Sequence, residues 1–251
     1  MPGSGRIFER TEKKYRITAN QRDNLLRLIA DQIEGDAYGR TTVCSIYFDT
    51  PDYRVIRASV EKPLYKEKLR LRSYGIPAAD APVYLELKKK YKGVVYKRGE
   101  KLTLSQAQAY LETGVLPKDT QIMREIDWAL HAHGVLAPAI LISCQREAFY
   151  SRTDKDLRIT FDDTLQFRTT DLNLASGAHG QPILPDDSVI MEIKTPNAMP
   201  LWLTGALDML CIYPGPFSKY GTAYQNYIAP SSEEKHNGYH FSANHHGYIH
   251  N

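Results

Sequence analysis

The feature that most constrains this chain is the alternation of charged and aliphatic residues along four short segments. In Lys68–Tyr74 (KLRLRSY) and Val83–Lys90 (VYLELKKK), every second residue is charged or a tyrosine, and the residues between them are mostly leucine or valine. Leu157–Asp162 and Val189–Lys194 repeat the pattern. Because successive side chains of a β-strand point to opposite faces, this period of two predicts four strands, each with one charged face and one aliphatic face.

The charged faces carry clusters of cations that are not balanced by acids on the same strand. Lys68, Arg70 and Arg72 follow one another on one face, and such a row is repulsive unless an anion occupies the space in front of it. Each strand taken alone also fits the solvent-exposed face of an ordinary antiparallel sheet. The recurrence over several strands favours a closed barrel whose interior binds a polyanion.

Three acids stand two residues before a lysine, on the same face of a predicted strand. These Glu-x-Lys pairs are Glu12–Lys14, Glu86–Lys88 and Glu192–Lys194. Carboxylates are hard ligands that suit Mg²⁺ or Mn²⁺, and arginine forks match phosphate oxygens. The repeated pair therefore predicts a barrel lined for a complex between a divalent metal and a chain of phosphates.

Composition excludes several classes of protein. The chain has 251 residues and a net charge of only +3, which is not the global basicity of a nonspecific nucleic-acid binder. Aromatic residues are not interleaved with the basic faces, so an RNA-binding barrel with stacking platforms is disfavoured and no nucleic-acid partner is expected. Three cysteines without CxxC spacing favour a reducing, cytoplasmic environment. No apolar run reaches the length of a membrane span, so membrane association would need a partner protein.

Helix signals occur between the predicted strands. Thr18–Gln21 forms a capping box ahead of a helix that we expect to end at Gly35. Ser105–Gln108 forms a second capping box ahead of a helix that ends at Gly114. Many strands with a few helices predict an α+β fold, mainly antiparallel.

The domain organisation follows from composition. Residues 8–228 mix strand and helix patterns without a break, which predicts a single folded domain. Residues 229–251 are polar and rich in histidine, with almost no aliphatic side chains. Such a segment buries too little apolar surface to offset the entropy of ordering, so it is predicted to be a disordered tail.

Eight short motifs, in the same order along the chain, resemble the triphosphate tunnel metalloenzymes, and specifically the polyphosphate polymerase domain of the VTC (vacuolar transporter chaperone) family. They extend over about Phe8 to Tyr227. The motifs are Arg10–Tyr15 (RTEKKY), Ser45–Thr50 (SIYFDT), Lys68–Arg72 (KLRLR), Glu86–Lys88 (ELK), Arg146–Phe149 (REAF), Arg158–Asp162 (RITFD), Glu192–Lys194 (EIK) and Phe217–Tyr220 (FSKY).

The resemblance implies an eight-stranded, mainly antiparallel β-barrel, the triphosphate tunnel, with peripheral helices. It implies transfer of the γ-phosphate of ATP to a growing polyphosphate chain, with Mn²⁺ or Mg²⁺ as cofactor. The catalytic residues would be Arg70, Arg72, Arg146, Arg158 and Lys194. The further phosphate-binding residues would be Lys14, Lys68, Lys88 and Lys219. The metal would be held by Glu192, with Glu12 and Glu86 as secondary candidates.

Two positions depart from the family pattern. Tunnel triphosphatases typically begin with Glu-x-Glu-x-Lys, whereas Arg10 holds the first of these positions here, which looks more like the polymerase branch. Cys144 stands where the polymerases often carry a tyrosine. The residues leave two other functions open: a metal-dependent tripolyphosphatase or nucleoside triphosphatase, and a non-catalytic module that binds polyphosphate or an inositol polyphosphate.

Overall fold

The computed structural model describes residues 11–61, 63–92, 94–132, 134, 136–196 and 198–229. Apart from Ala229, the predicted disordered tail lies outside the described residues. The strands are β1 (Thr11–Thr18), β2 (Ile33–Gly35), β3 (Thr41–Asp49), β4 (Tyr65–Tyr74), β5 (Pro82–Tyr91), β6 (Val94–Thr103), β7 (Ala137–Ser151), β8 (Arg158–Arg168), β9 (Gln181–Pro182) and β10 (Ser188–Thr195).

Six α-helices connect or cover these strands in the described part of the chain. They are α1 (Ala19–Leu28), α2 (Arg54–Val60), α3 (Leu104–Thr113), α4 (Gln121–Ala132), α5 (Leu201–Met209) and α6 (Lys219–Ala223). A π-helical turn at Tyr224–Ile228 follows α6 directly. Within the described residues, none of the helices combines the length and apolarity that crossing a bilayer requires.

Eight of the strands form one continuous antiparallel path. Its order is β1-β10-β8-β7-β3-β4-β5-β6, while β2 pairs with β7 and β9 pairs with β8 at the side. Among the described residues, no hydrogen-bonded ladder joins β1 to β6, so the ring of strands is not closed by backbone hydrogen bonds. The predicted α+β fold, with eight mainly antiparallel strands and peripheral helices, is confirmed.

The aliphatic faces of the strands pack beneath the helices, as their alternation predicts. On β4 and β5, the leucines at alternate positions are buried against Tyr110 of α3 and against Met123 and Ile126 of α4. On β8 and β10, Ile159 and Ile193 are buried against α1 and α5. Burial of these two apolar layers leaves the charged faces of the same strands on the inner side of the sheet.

One part of the inner face is apolar rather than charged. The inward side chains of β3 and β7 pack against Tyr220 and Ala223 of α6, and the set from the two strands is Val43, Tyr47, Ile140, Ile142 and Cys144. Strand β8 contributes Leu165 and Phe167 to the same cluster. Its ladder with β7 shifts register near Asp163, where Thr164 has φ +48°. This bulge reverses which alternate residues face inward, so β8 changes from a charged inner face to an apolar one.

Two predicted helix boundaries are wrong, for local reasons. Helix α1 begins at the predicted capping box, where Gln21 N–H donates to Thr18 Oγ1 at 3.1 Å. It ends at Leu28 rather than Gly35, because Ile33–Gly35 form β2 and pair with the end of β7. The burial of Ile33 in the core beside α1 favours this pairing over further helix.

The second predicted capping box is displaced by two residues. Thr103, not Ser105, caps α3, with Gln106 N–H donating to Thr103 Oγ1 at 3.1 Å. The Ser105 hydroxyl instead donates to the Ala79 carbonyl at 2.9 Å, a contact that depends on the neighbouring loop. The predicted end of the helix at Gly114 is confirmed, with Gly114 at φ +71° as a left-handed cap.

Candidate functional site

The inner face of β4 and β5 forms the first region of the candidate site. Arg70 Nε donates to Glu86 Oε2 at 2.8 Å, and Arg72 Nε lies 3.9 Å from the same oxygen. Lys97 of β6 pairs with the other carboxylate oxygen. Burial raises the pKa of Glu86, but Arg70, Lys97 and Arg72 outweigh it and hold the pKa at about 2. Three cations therefore share one ionised carboxylate.

Lys68 continues the cationic row on β4. Within the described residues it forms no ion pair with a carboxylate, and its Nζ donates to Ser218 Oγ at 3.0 Å. Burial, helped by the nearby lysines Lys14, Lys66 and Lys88, lowers the pKa of Lys68 to about 8 against the opposing effect of Tyr47. The row of Lys68, Arg70 and Arg72 thus carries more positive charge than its protein partners neutralise.

Tyr47 of β3 lies beside this row. Arg70 Nη1 lies 3.5 Å from its hydroxyl oxygen. Burial raises the pKa of Tyr47, but Arg70 and Arg72 lower it more, to about 8. Its position opposite Arg70 in the β3–β4 ladder could be recognised only once the two strands were known to be neighbours.

The facing strands β1 and β10 form a checkerboard of two acids and two lysines. The register pairs Lys14 with Glu192 and Glu12 with Lys194. Lys194 Nζ lies 2.6 Å from Glu192 Oε1, and Lys14 Nζ lies 3.5 Å from Glu12 and 3.8 Å from Glu192. Burial raises the pKa of Glu192, but Lys194, Lys14 and Arg146 hold it at about 2. Glu192 therefore remains ionised and able to attract a cation.

The donor set at this checkerboard fits a hard divalent ion. Glu12 and Glu192 both approach Lys14, so their oxygens lie in one neighbourhood. In the described part of the chain, three or more acidic, histidine or cysteine ligands do not converge on one point. Two carboxylates, completed by phosphate oxygens and water, are a set that Mg²⁺ accepts. Glu86, the other metal candidate, has both oxygens engaged by Arg70 and Lys97.

Strand β8 adds buried polar atoms next to Glu192. Thr160 is the register partner of Glu192, and neither Thr160 Oγ1 nor Arg158 Nε finds a hydrogen-bond partner among the described residues. The Arg158 Nη2 group donates to Asp36 at 3.3 Å, and the guanidinium lies over the ring of Tyr150 at 5.1 Å. Unsatisfied buried polar atoms are costly and mark a place where a bound group can supply the missing partner.

A second cluster, with one acid between two cations, surrounds Asp162, for which the sequence predicted no role. Arg146 makes a bidentate pair with it, Nε to Oδ1 at 2.6 Å and Nη2 to Oδ2 at 2.7 Å. Lys219 Nζ donates to Oδ2 at 2.5 Å and lies 3.1 Å from Cys144 Sγ. Burial would raise the pKa of Asp162, but Lys219 and Arg146 hold it far below its ordinary value. The signal that could have found Asp162 is its place on the charged face of β8.

The segment Phe217–Tyr220 connects these clusters across the interior. Lys14 Nζ donates to the Phe217 carbonyl at 3.4 Å, while the next two residues contact Lys68 and Asp162 as described above. The Tyr220 hydroxyl donates to buried Asp49 at 2.9 Å. Asp49 also accepts hydrogen bonds from the N–H groups of Val55 and Ile56 in the first turn of α2, which fixes it in place. One short segment therefore contacts β1, β3, β4 and β8.

The two ends of the strand path approach each other at the segment Phe217–Tyr220. Lys14 of β1 contacts the Phe217 carbonyl, and Lys68 of β4 contacts the adjacent Ser218 hydroxyl. Burial lowers the pKa of Lys88 on β5, and Glu12 and Glu192 on β1 and β10 oppose that shift. The structure thus brings the predicted residues of β1, β4, β5, β8 and β10 to one shared space, with Arg146 and Lys219 on its wall.

Comparison with solved structures identifies the class of fold. A candidate adenylate cyclase from Bacillus halodurans aligns with a TM-score of 0.52 and 15% sequence identity, over 86% of this chain and 96% of that chain. A candidate adenylate cyclase from Vibrio parahaemolyticus aligns with a TM-score of 0.46 and 12% identity, over 85% and 96% of the two chains. The architecture is that of the triphosphate tunnel fold.

The family is defined by sequence. A family model of the VTC domain matches residues 9–228, nearly all of the described part of the chain. The chain therefore belongs to the VTC domain family, as the eight motifs predicted. A search of curated proteins found no match to the chain.

Proposed function

We propose that this VTC domain transfers the γ-phosphate of ATP to the end of a polyphosphate chain, with Mn²⁺ or Mg²⁺ as cofactor. The observation that supports this most directly is the uncompensated positive charge on β4. Arg70, Arg72 and Lys97 share the single carboxylate of Glu86, and Lys68 has only a hydroxyl partner among the described residues. Such a row is stabilised by an anion of matching charge.

The arrangement of the cations favours a linear anion over a compact one. Alternate residues of a strand are separated by about 7 Å, so Lys68, Arg70 and Arg72 form a row along β4 rather than a cluster. The row lies across the interior from Lys14 of β1, since Lys68 and Lys14 contact the neighbouring residues Ser218 and Phe217. A chain of phosphates can contact both sides along its length, whereas an inositol polyphosphate would contact fewer of these groups.

The proposed mechanism assigns positioning and charge neutralisation to the protein. Arg70, Arg72 and Arg158 clamp the triphosphate of ATP, and Lys68, Lys88 and Lys194 neutralise the developing charge. Arg146 uses Nε and Nη2 to bind Asp162, which orients the guanidinium and leaves Nη1 for the substrate. Lys14 and Lys219 contribute positive charge at the opposite wall. The attacking group is an ionised terminal phosphate, so no strong general base is required.

The metal would be held by Glu192 and Glu12, and Glu86 is better assigned to orienting Arg70. A divalent ion bound there supplies further neutralisation of the phosphate oxygens. Lys14 and Lys194 are the side chains that it would have to displace, since they contact both carboxylates.

Product analysis tests the proposal. Purified protein is incubated with ATP and Mn²⁺, and the products are separated by chain length on a gel. A ladder of polyphosphate with release of ADP is the expected result. Orthophosphate without longer chains would replace the proposal with a hydrolase, and ATP binding without turnover would replace it with a binding module.

A further inference from the structure

The end of the β5–β6 hairpin (the hairpin tip: Tyr91, Lys92 and Val94–Tyr96) is exposed to solvent. Its apolar residues are about half exposed, namely Tyr91 (48%), Val94 (55%), Val95 (47%) and Tyr96 (54%). Val94 and Val95 point to opposite faces of the same strand, yet both are exposed, so this end of the hairpin is solvated on both sides. Leu64 is 71% exposed and lies beside the turn, since Lys92 N–H donates to the Leu64 carbonyl at 2.9 Å.

The hairpin tip is also strongly basic. Residues 88–98 hold five lysines and one arginine and no acid. Lys97 and Arg98 pair with Glu86 and Glu125. Lys89 and Lys92 instead lie over the rings of Trp128 and Tyr91, each at 5.4 Å. The tip therefore combines exposed valine and tyrosine with a net positive charge.

The combination of exposed apolar and basic side chains favours one kind of binding partner for the hairpin tip over the others. A second copy of the chain would bring lysines against lysines, and like charges across an interface are repulsive. A soluble polyanion would use the lysines but would leave the valines and Leu64 in water. An anionic bilayer accepts all three groups: aliphatic side chains below the headgroups, tyrosines at the interface and lysines against the lipid charges.

We propose that the β5–β6 hairpin tip is a peripheral docking element for anionic lipid bilayers. Val94 and Val95 enter the headgroup region, while Lys89, Lys90 and Lys92 bind the lipid anions. Register pairs Lys66 with Lys90 and Lys68 with Lys88, so the basic row of the inner face leads directly to the docked end. The proposal does not depend on the activity of the domain.

Vesicle sedimentation tests the docking element. The intact protein is mixed with vesicles of phosphatidylcholine alone or with added phosphatidylserine, and the bound fraction is measured. Wild type is expected to prefer the anionic vesicles. Lys92→Glu should weaken binding by more than about fivefold, which is the contribution of one cation near an anionic surface. Val95→Asp should weaken it similarly by removing apolar contact.

Matched controls carry the same chemical changes elsewhere. Lys101→Glu changes a lysine at the other end of β6. Val115→Asp changes a valine that is 71% exposed in the loop after α3. Both controls should bind like wild type, and thermal melting should show that all four variants fold. Equal binding to neutral and anionic vesicles, or wild-type binding by Lys92→Glu and Val95→Asp, would overturn the proposal. Wild type that does not bind vesicles, together with weaker polyphosphate binding by Lys92→Glu, would overturn it in favour of a polyanion contact at the tip.

Discussion

The two charged regions of the inner face are built differently. Around Asp162, one acid binds Arg146 and Lys219 through three short hydrogen bonds, and the side chain of Asp162 is only 5% exposed. Around Glu86, one acid is shared by Arg70, Arg72 and Lys97, and the adjacent Lys68 pairs with no carboxylate in the described structure. In the first cluster one acid is fully engaged by two cations. In the second, one acid is shared by three cations beside a fourth, so the surplus of positive charge is larger.

This difference separates a mainly structural cluster, which offers a ligand only Arg146 Nη1 and the charge of Lys219, from a row whose main role is binding. A buried acid with hydrogen-bonded cations stabilises its surroundings, and removing it leaves the cations unpaired. The Asp162 cluster joins β7, β8 and the start of α6, which explains its burial. Surplus cations on β4 instead repel one another in the free protein, and a bound anion reduces this electrostatic repulsion. Removal of a charge is therefore expected to destabilise the fold in the first region and to weaken anion binding in the second.

The largest effect on stability is expected at Asp162. Asp162→Asn removes the carboxylate that both Arg146 and Lys219 contact, so we expect a loss of about 3–5 kcal/mol in the free energy of unfolding. Urea denaturation at pH 7 measures it. Asp31→Asn, the same change at an exposed acid, should be near neutral. A loss at Asp162 no larger than at Asp31 would contradict the structural role.

The same carboxylate predicts a dependence on pH. The folded-state pKa of Asp162 lies far below its ordinary value, because Lys219 and Arg146 outweigh the effect of burial. Its stabilisation is therefore present above the unfolded pKa of about 4 and is lost as the pH falls below that value. Wild type should lose stability in this acid range more steeply than Asp162→Asn, as measured by thermal melting at a series of pH values.

The checkerboard of β1 and β10 is expected to control metal dependence. Glu192→Gln keeps the shape of the side chain but loses the charge that attracts a hard cation, so turnover of ATP should fall on the order of 100-fold at limiting Mn²⁺. The fold should remain largely intact. Glu112→Gln, at an exposed position on α3, is the matched control. Wild-type turnover by Glu192→Gln at limiting Mn²⁺ would exclude Glu192 as a metal ligand.

Arg72 tests the binding role of the surplus cations. Arg72→Ala should weaken tripolyphosphate binding by more than about tenfold, since a charge-assisted hydrogen bond is lost. It should not lower the melting temperature of the free protein, because it also relieves repulsion on β4. Tripolyphosphate should raise the melting temperature of wild type, and by less in the variant.

The control for this experiment is Arg98→Ala, which removes an arginine from the outer part of β6, where it pairs with Glu125. Its response to tripolyphosphate should match that of wild type at the same salt concentration. A wild-type protein that tripolyphosphate fails to stabilise would remove the support for a phosphate-binding inner face.

The smallest effect is expected from titration of Lys68. Burial and neighbouring lysines lower its pKa to about 8, from an ordinary value of 10.5. Affinity for tripolyphosphate should therefore fall, by about fivefold, as the pH rises through 8 and the ammonium loses its proton. In the free protein, pH acts on stability in the opposite direction. Between pH 8 and 10.5 Lys68 binds a proton in the unfolded chain but not in the folded one, so the stability of the fold rises with pH over that interval.

Two variants identify the titrating group. Lys68→Arg stays charged at these pH values and should bind with little dependence on pH. Tyr47 also has a pKa of about 8, because Arg70 and Arg72 outweigh the effect of its burial. Its ionised form would repel the ligand. If Tyr47→Phe removes the pH dependence and Lys68→Arg does not, the assignment moves from the lysine to the tyrosine.

The charged and aliphatic faces of the strands were predictable from the sequence alone. A strand has a backbone period of two, so KLRLR places its leucines on one face and its cations on the other wherever it lies. The capping box at Thr18 is equally local, because its hydrogen bonds join residues three apart. The motif order was sufficient to identify the VTC family, which the match over residues 9–228 confirms.

Partners between distant segments were decided only by the tertiary structure. Asp162 binds Lys219, which lies 57 positions later in the chain, and Tyr220 binds Asp49, 171 positions earlier. The end of α1 depends in the same way on the pairing of Ile33–Gly35 with β7. Side-chain direction follows from local backbone geometry, which a sequence pattern records. Whether a cation is neutralised depends on which strand and which segment lie next to it, and that is fixed by packing of the whole chain.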